Sequence, residues 1–362
     1  WNEVSGMANI MLTERCNLRC SYCFANEYVN HDPKEITIEN FRKAVSFIRG
    51  GGDRVVGLIG GEPTLHPQFR QILQELIRND EIRGVSVFTN GILLDIFAEE
   101  LSHEKFTVLV NCNAPEMIGS KFFERMVQNL ELLIGTYGMK EQITLGVNIY
   151  KTGFQYDYLL EILRKFDFQD VRMSLTVPNT SDGRACDFEK FFQEMKPTLI
   201  AFLSDMLAAG IVPHYDCNKM PVCMFAQEEK KAGVDMVNTL PRNRLRFRGH
   251  SGDSSILSEN AGCSPVVDIL PDLTAVRCFG LSEHTRIPIC DFRSVQDLRN
   301  YYREEFDFYG SKVYSKESCR DCYLRKTHRC TAGCLAYHIP KILALRSATA
   351  NAAERIFQNE NP

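Results

Sequence analysis

The fold is decided by the stretch Ala8-Asn-Ile-Met-Leu-Thr-Glu-Arg-Cys16-Asn-Leu-Arg-Cys20-Ser-Tyr-Cys23, near the start of a chain of 362 residues. Its apolar run, residues 8–12, predicts a strand, and three cysteines with the spacing CxxxCxxC follow directly. A doubly wound open sheet would carry a glycine-rich phosphate loop at this point. Because a cysteine loop stands there instead, we expect three thiolates that bind one soft metal centre.

Short apolar strands and helical stretches alternate beyond the cysteine loop. Strands are predicted at residues 8–12, 55–59, 85–89, 106–111, 142–149 and 171–177. Helices are predicted at residues 37–49, 69–78, 122–137 and 156–166. Six strand-then-helix units in a row indicate an α/β fold in which parallel strands close into a TIM-like partial (β/α)6 barrel. The C-terminal ends of such strands are where barrel enzymes place their chemistry.

A helix is predicted at residues 187–210, and we expect it to close the barrel. After this helix the sequence has shorter segments and many cysteines. We therefore predict two domains, a barrel over residues 1–210 and a smaller cysteine-rich domain over residues 211–362. Within the second domain, Pro271-Asp272 predicts a β-hairpin turn. Residues 342–357 predict a C-terminal helix.

Composition excludes several classes of protein. The net charge of −4 offers no basic field for nucleic acid. No apolar run approaches the roughly 20 residues that a membrane span needs. The start of the chain has neither the basic residues nor the apolar core of a signal peptide, so we expect a cytoplasmic protein. In that compartment thiols stay reduced, so 14 cysteines indicate metal ligands or catalytic groups rather than disulfides.

The cysteine loop resembles that of the radical S-adenosylmethionine (SAM) superfamily, including the aromatic Tyr22 before the third cysteine. A second motif, Gly60-Gly61-Glu62-Pro63, ends the second predicted strand, where the family binds the SAM ammonium group. The resemblance implies an oxygen-sensitive [4Fe–4S] cluster on Cys16, Cys20 and Cys23 whose open iron binds SAM. One electron then cleaves SAM to a 5′-deoxyadenosyl radical. A structural zinc loop completed by His31 is the alternative.

Polar residues at later strand ends are further candidates for SAM binding. In the family the end of the fourth strand contacts the ribose or the carboxylate of SAM, which implies roles for Asn111 and Asn113. Asn148 in the fifth strand and Arg172 in the sixth are further candidates. A bidentate pair with the SAM carboxylate would suit Arg172. The alternative is that these side chains only order water in the barrel mouth. Alternation along the strand turns Cys112 outward, so we expect a buried thiol without a chemical role.

The C-terminal cysteines form the pattern CxxC-x7-CxxxC at Cys319, Cys322, Cys330 and Cys334. By itself this pattern also suits a zinc knuckle. Together with Cys263 and Cys278 it resembles the SPASM extension of radical SAM enzymes, which carries one or two auxiliary [4Fe–4S] clusters. Two departures are visible. The family's turn glycine is Leu273 here, and the gap between Cys322 and Cys330 is two residues longer than usual.

Ligand counting leaves one thiolate open. The resemblance implies a first auxiliary cluster on Cys263, Cys278 and Cys334 with Cys223 or Cys217. A second would use Cys319, Cys322 and Cys330 with Cys217 or Cys290, unless it keeps an open iron or is absent. Cys290 lies in a strand-like apolar run, so a buried structural thiol is expected there. No chemical role is expected for Cys186.

SPASM relatives mostly modify peptides or proteins, so the resemblance implies maturation of a ribosomally made precursor peptide by crosslinking, thioether formation or epimerisation. Because the first strand begins so early, we expect a separate protein or the barrel rim to hold the leader peptide. A flavodoxin- or ferredoxin-type reductant is implied. The alternatives are a radical SAM enzyme acting on a small molecule or a protein side chain, and an iron–sulfur or zinc sensor. His214, His250 and the arginines at 242, 244, 246 and 248 are weaker candidates for substrate contacts.

Overall fold

A single mixed sheet organises the chain. The computed structural model describes residues 7–177, 187–229, 231 and 262–360. In these segments the strands are β1 (Ala8–Met11), β2 (Val55–Ile59), β3 (Gly84–Thr89), β4 (Phe106–Asn111), β5 (Ile143–Ile149), β6 (Asp170–Leu175), β7 (Val212–Tyr215), β8 (Asp268–Ile269), β9 (Thr274–Val276) and β10 (Ile287–Pro288). Their order in the sheet is β10-β9-β8-β1-β2-β3-β4-β5-β6-β7. From β8 to β7 every neighbouring pair is parallel.

Helices cross between the parallel strands. The described helices are α1 (Ile38–Gly50), α2 (Phe69–Arg78), α3 (Ala98–Leu101), α4 (Pro115–Ile118), α5 (Ser120–Gly135), α6 (Asp157–Lys165), α7 (Phe188–Ala208), α8 (Val295–Tyr302), α9 (Phe308–Gly310), α10 (Tyr323–Lys326) and α11 (Ile339–Glu360). In α1, Thr37 caps the first turn by accepting a hydrogen bond from the Asn40 amide at 3.1 Å. Phe41, Ala44 and Ile48 form its buried face because they recur at helical spacing.

The six predicted barrel strands and the parallel α/β fold are confirmed, each strand lying within two residues of its expected bounds. The sequence did not predict β7, which pairs with β6 in register from Asp170 opposite Val212. This strand has only four residues and contains Pro213, so it lacks the long apolar run that marks the others. The sheet therefore continues past residue 210, and the two-domain division at that point stays a prediction.

The predicted hairpin at Pro271-Asp272 is present and adds to the sheet. Strands β8 and β9 are antiparallel, and β8 lies parallel to β1. Leu273 adopts a φ of 62°, a left-handed conformation that favours glycine, in the turn between the two strands. At the seam between β8 and β1, the Asn9 side-chain amide donates to the Asp268 carboxylate at 2.7 Å. Residues from the C-terminal part of the chain thus complete the edge of the barrel.

Candidate functional site

The loop with Cys16, Cys20 and Cys23 is held against the C-terminal end of β1 by polar contacts. Asn30 accepts a hydrogen bond from the Cys16 amide at 3.0 Å and donates to the Cys16 carbonyl at 3.2 Å. Asn17 accepts from the side chain of Asn90, after β3, at 2.8 Å. The loop is therefore fixed at two points. Its three thiols form no disulfide and are partly buried.

Gly60 and Gly61 bring the end of β2 into contact with the start of the cysteine loop. The Gly61 amide donates to the Thr13 carbonyl at 2.8 Å, and the next amide donates to the Arg15 carbonyl at the same distance. A Cβ atom on Gly61 would lie 2.4 Å from the Arg15 carbonyl oxygen, and one on Gly60 would lie 2.7 Å from that of Thr13. Glycine is needed here because any side chain would separate the two loops.

Glu62 faces the scaffold, whereas the resemblance had implied that its charge meets the SAM ammonium. Its buried carboxylate accepts four hydrogen bonds, from the amides and hydroxyls of Thr64, Thr89 and Asn90. Burial raises the pKa of Glu62, and the hydrogen bonds oppose this shift. The carboxylate therefore ties the end of β2 to the end of β3. Pro63 begins the short 3-10 turn that follows.

Tyr22 connects the cysteine loop to the mouth of the barrel. Its hydroxyl donates to Asn113, just beyond β4, and its ring stacks on Tyr150 with centroids 5.1 Å apart. Tyr150 follows β5, and sequence reasoning missed it because an aromatic residue after a strand carries no distinctive spacing. Tyr22 therefore contacts residues at the ends of the neighbouring strands β4 and β5.

A second polar chain runs across the strand ends. The Asn148 side-chain amide donates to Asn111 at 3.3 Å, and the Ser174 hydroxyl donates to Asn148. Ser174 was not predicted from the sequence, although its position in β6 opposite Asn148 follows from the register. Arg172 instead makes two hydrogen bonds to Asp216, at 2.6 and 2.9 Å. A role for Arg172 in SAM binding would require this ion pair to rearrange.

One group of C-terminal thiols includes cysteines from the end of β7 and from the hairpin of β8 and β9. Desolvation raises the pKa of Cys334, and Cys217, Cys263 and Cys278 raise it further. Such mutual effects arise between groups that lie close together. Cys217 keeps exposed surface, but surrounding protein atoms raise its pKa by desolvation, with Asp216, Cys263 and Cys278 adding to the shift. We name these four residues the hairpin set.

A second group of thiols lines one small cavity near α7. It contains Cys223, Cys319, Cys322 and Cys330, together with apolar side chains such as Phe188. Burial raises the pKa of Cys330, and Cys223 contributes to the increase. We name these four residues the cavity set. The sequence left Cys223 or Cys217 open for the hairpin set, and Cys217 lies there. For the cavity set it suggested Cys217 or Cys290, whereas Cys223 lines the cavity.

The remaining cysteines lie apart from these sets. Cys112 is buried in the core, as expected. Cys290 is exposed beside Asp291, so the expectation of a buried thiol is wrong. Its neighbour Ile289 occupies the buried position of the short turn after β10. Cys186 lies outside the described residues, as do His250 and the arginines at 242, 244, 246 and 248.

The donor chemistry of the thiols suits iron–sulfur clusters. Burial raises the pKa of Cys16 to about 12 and that of Cys20 to about 11, so without a metal both thiols stay protonated near neutral pH. A soft metal centre would displace these protons, as in other thiolate sites. In the described segments, no three His, Cys, Asp or Glu side chains are already arranged around a single ion. The sets are therefore neighbouring thiols rather than closed ion sites.

Other features bear on the weaker candidates. His214 lies buried in β7, and desolvation lowers its pKa to about 4, so it is neutral near pH 7. His31 is exposed in the turn after the cysteine loop. Within the described part of the chain, no helix combines the length and apolar character that crossing a membrane requires.

The family description of the radical SAM superfamily matches residues 10–134 of this chain, which include the cysteine loop. Molybdenum cofactor biosynthesis protein 1 of Homo sapiens is 32% identical over 203 residues, covering 52% of this chain and 31% of that protein. A probable GTP 3′,8-cyclase of Methanococcus vannielii is 30% identical over 145 residues, covering 40% and 48%. The chain thus spans half or less of the length of these relatives.

The fold extends over more of the chain than these sequence matches. Streptococcus suis SuiB, in its crystal structure with S-adenosylmethionine, aligns with a TM-score of 0.57 over 91% of this chain and 73% of SuiB, at 15% identity. The SuiB structure with the precursor peptide SuiA aligns with a TM-score of 0.56. At this identity the likeness concerns the fold, and it includes the C-terminal part.

Proposed function

We propose that this protein is a radical SAM enzyme that modifies a ribosomally made peptide. The single observation that carries the proposal is the group of three free, partly buried thiols on one loop, fixed beside the glycine-rich end of β2. When bound there, a [4Fe–4S] cluster with SAM supplies one-electron cleavage of SAM to a radical that removes a hydrogen atom from the substrate. Cys16, Cys20 and Cys23 would hold the cluster.

The surrounding residues would orient the cofactor. Gly60 and Gly61 allow the end of β2 to approach the cluster loop, and Glu62 fixes that end to β3. The stacked rings of Tyr22 and Tyr150 offer an apolar surface next to the cluster loop, which suits a flat base. The amides of Asn111, Asn113 and Asn148 provide donors and acceptors for polar groups of SAM at the same strand ends.

Two auxiliary [4Fe–4S] clusters form the second part of the proposal. The hairpin set and the cavity set each contain four cysteines, which is the number that one ferredoxin-type cluster requires. Under this assignment neither auxiliary cluster keeps an open iron, and Cys290 takes no part. Electron transfer, rather than direct binding of substrate to iron, is the role that fully ligated clusters favour.

A peptide substrate is supported by the extent of the SuiB-like fold, because SuiB was solved with a precursor peptide. The partners would be that peptide, a protein that holds its leader, and a flavodoxin- or ferredoxin-type reductant. The second candidate is a small-molecule substrate, which the similarity to GTP 3′,8-cyclases supports. Those matches cover at most about half of this chain, whereas the SuiB-like fold covers 91% of it.

Anaerobic reconstitution tests the enzyme class. We expect about 12 iron atoms per chain, four for each of three clusters, and release of 5′-deoxyadenosine with SAM and dithionite. Changing Cys16, Cys20 and Cys23 to Ala should remove about four iron atoms and abolish that release. The matched variant Cys112→Ala should keep both. Zinc in place of iron, or iron without 5′-deoxyadenosine, would contradict the proposal.

Co-expression tests the substrate. The protein is produced with the short peptide encoded beside its gene, and the peptide is examined by mass spectrometry for the loss of two hydrogen atoms or for solvent deuterium at one α-carbon. The same enzyme is incubated with SAM, dithionite and GTP. A modified peptide supports the first candidate, whereas turnover of GTP with an unchanged peptide supports the second.

A further inference from the structure

Arg277 is a fully buried cation that contacts the hairpin set. Its side chain has 0% exposure and lies directly before Cys278 in the chain. One guanidinium nitrogen, Nη1, donates to the Cys263 sulfur at 3.3 Å, and Nη2 donates to the Cys263 carbonyl at 3.3 Å. The remaining nitrogen, Nε, donates to Asp307 at 2.6 Å. The guanidinium therefore bridges a thiol of the set and a carboxylate.

A second buried arginine, Arg299, makes its contacts to a carboxylate rather than to a thiol. Arg299 pairs with Asp53 through two nitrogens at 2.6 and 3.0 Å, both contacts being to carboxylate oxygens. The Arg299 and Asp53 side chains are 3% and 4% exposed, so Arg299 is nearly as buried as Arg277, and its carboxylate partner is more buried than Asp307. The two arginines differ in that Arg277 directs one arm to sulfur.

The charge of Arg277 reaches other thiols of the set. Arg277 precedes Cys278 in the chain, and its positive charge interacts favourably with negative charge on that sulfur. For Arg277 itself, burial lowers the pKa, but Cys263, Asp307 and Cys278 outweigh that effect and raise it. An arginine stays protonated in proteins, so the positive charge is permanent.

We propose that Arg277 raises the reduction potential of an auxiliary cluster on Cys217, Cys263, Cys278 and Cys334, and that Asp307 limits the increase. The inference rests on the proposed function. Reduction adds negative charge to the cluster and its sulfurs, and hydrogen bonds to sulfur and nearby charge are known controls of cluster potential. A buried cation stabilises the reduced form strongly because little water screens it. Arg277 acts through Cys263 and is a positioning residue.

Redox titration of the full-length protein tests the inference. The background variant carries Ala at Cys16, Cys20 and Cys23, so only the auxiliary clusters give electron paramagnetic resonance signals. The signal of the hairpin set is the one that disappears when Cys263→Ala is added. We expect Arg277→Gln to lower its midpoint so that the ratio of reduced to oxidised cluster falls about tenfold at fixed potential, or about 59 mV for one electron. Asp307→Asn should shift it in the opposite direction.

Arg299→Gln is the matched control, because it removes a buried arginine away from the thiols and should leave the midpoint unchanged. Shifts of equal sign in the Arg277 and Asp307 variants, or no shift in either, would overturn the inference. If Arg277→Gln loses the signal altogether, the sign of the Asp307→Asn shift decides. If the unsubstituted protein gives no auxiliary signal, the proposed function fails together with this inference, whereas unmoved signals refute the inference alone.

Discussion

The two cysteine regions of this protein are built in opposite ways. The N-terminal loop takes its three thiols from eight consecutive residues after one strand. Each C-terminal set instead collects thiols from distant segments: the hairpin set spans residues 217 to 334 and the cavity set residues 223 to 330. A local loop can present its thiols before the rest of the chain has folded. The C-terminal sets exist only once the tertiary structure has formed, because chain closure over long loops precedes their contacts.

Removing one thiol of the cavity set tests this comparison most directly. Cys223→Ala should remove about four iron atoms from the reconstituted protein, since the cavity set loses its fourth ligand. Cys290→Ala, which changes an exposed thiol outside both sets, should remove none. Iron analysis with Mössbauer spectra distinguishes the two results. If Cys290→Ala loses the iron and Cys223→Ala keeps it, the membership of the cavity set is wrong.

Gly61→Ala tests how closely the local loop depends on its neighbour. The new methyl group would lie 2.4 Å from the Arg15 carbonyl oxygen, so the two loops must separate. We expect a loss of up to about 3 kcal/mol in the free energy of unfolding, together with weaker SAM binding. Gly135→Ala is the control, because a Cβ atom there meets nothing within 4 Å. Equal melting temperatures for the two variants would contradict the close approach.

Asp268→Asn tests the seam between the two regions through the pH dependence of stability. Burial raises the pKa of Asp268 from 3.8 to about 7, so between these values the folded protein holds a proton that the unfolded chain has released. Stability therefore falls as the pH rises from about 4 to 7, by at most about 1.4 kcal/mol per pH unit. The Asn variant should show a flatter decline. Urea unfolding at pH 5 and pH 7 measures it, and an unchanged slope would contradict the shift.

The sequence predicts the features that depend on local spacing and misses those that depend on tertiary contacts. The cysteine loop, the six barrel strands and the turn at Pro271-Asp272 depend on local spacing, and the structure places them as expected. The sequence left open whether Cys217 or Cys223 belongs with Cys263, because six residues separate the two cysteines and only their tertiary neighbours tell them apart. Strand β7 was missed because Pro213 and His214 interrupt the apolar pattern of its four residues.

Glu62 and Arg172 show a further limit of sequence reasoning. The resemblance implied that Glu62 meets the SAM ammonium group, and Arg172 was a candidate for the SAM carboxylate; both roles stay predictions. In the structure Glu62 bonds to Thr64, Thr89 and Asn90, and Arg172 bonds to Asp216. Side-chain direction depends on which donors and acceptors the neighbouring strands supply, and a single sequence does not list those neighbours.

The hairpin strand β8 has a consequence for how the two regions are inherited. It pairs with β1 on the side away from β2, so the strand that carries the cysteine loop lies in the interior of the sheet. Without residues 268–269, β1 would present an open edge of the kind that promotes aggregation. The C-terminal region thus contributes a strand to the barrel sheet and also supplies thiols. Losing it would expose the first strand, so this barrel and its extension are expected to be kept or lost together.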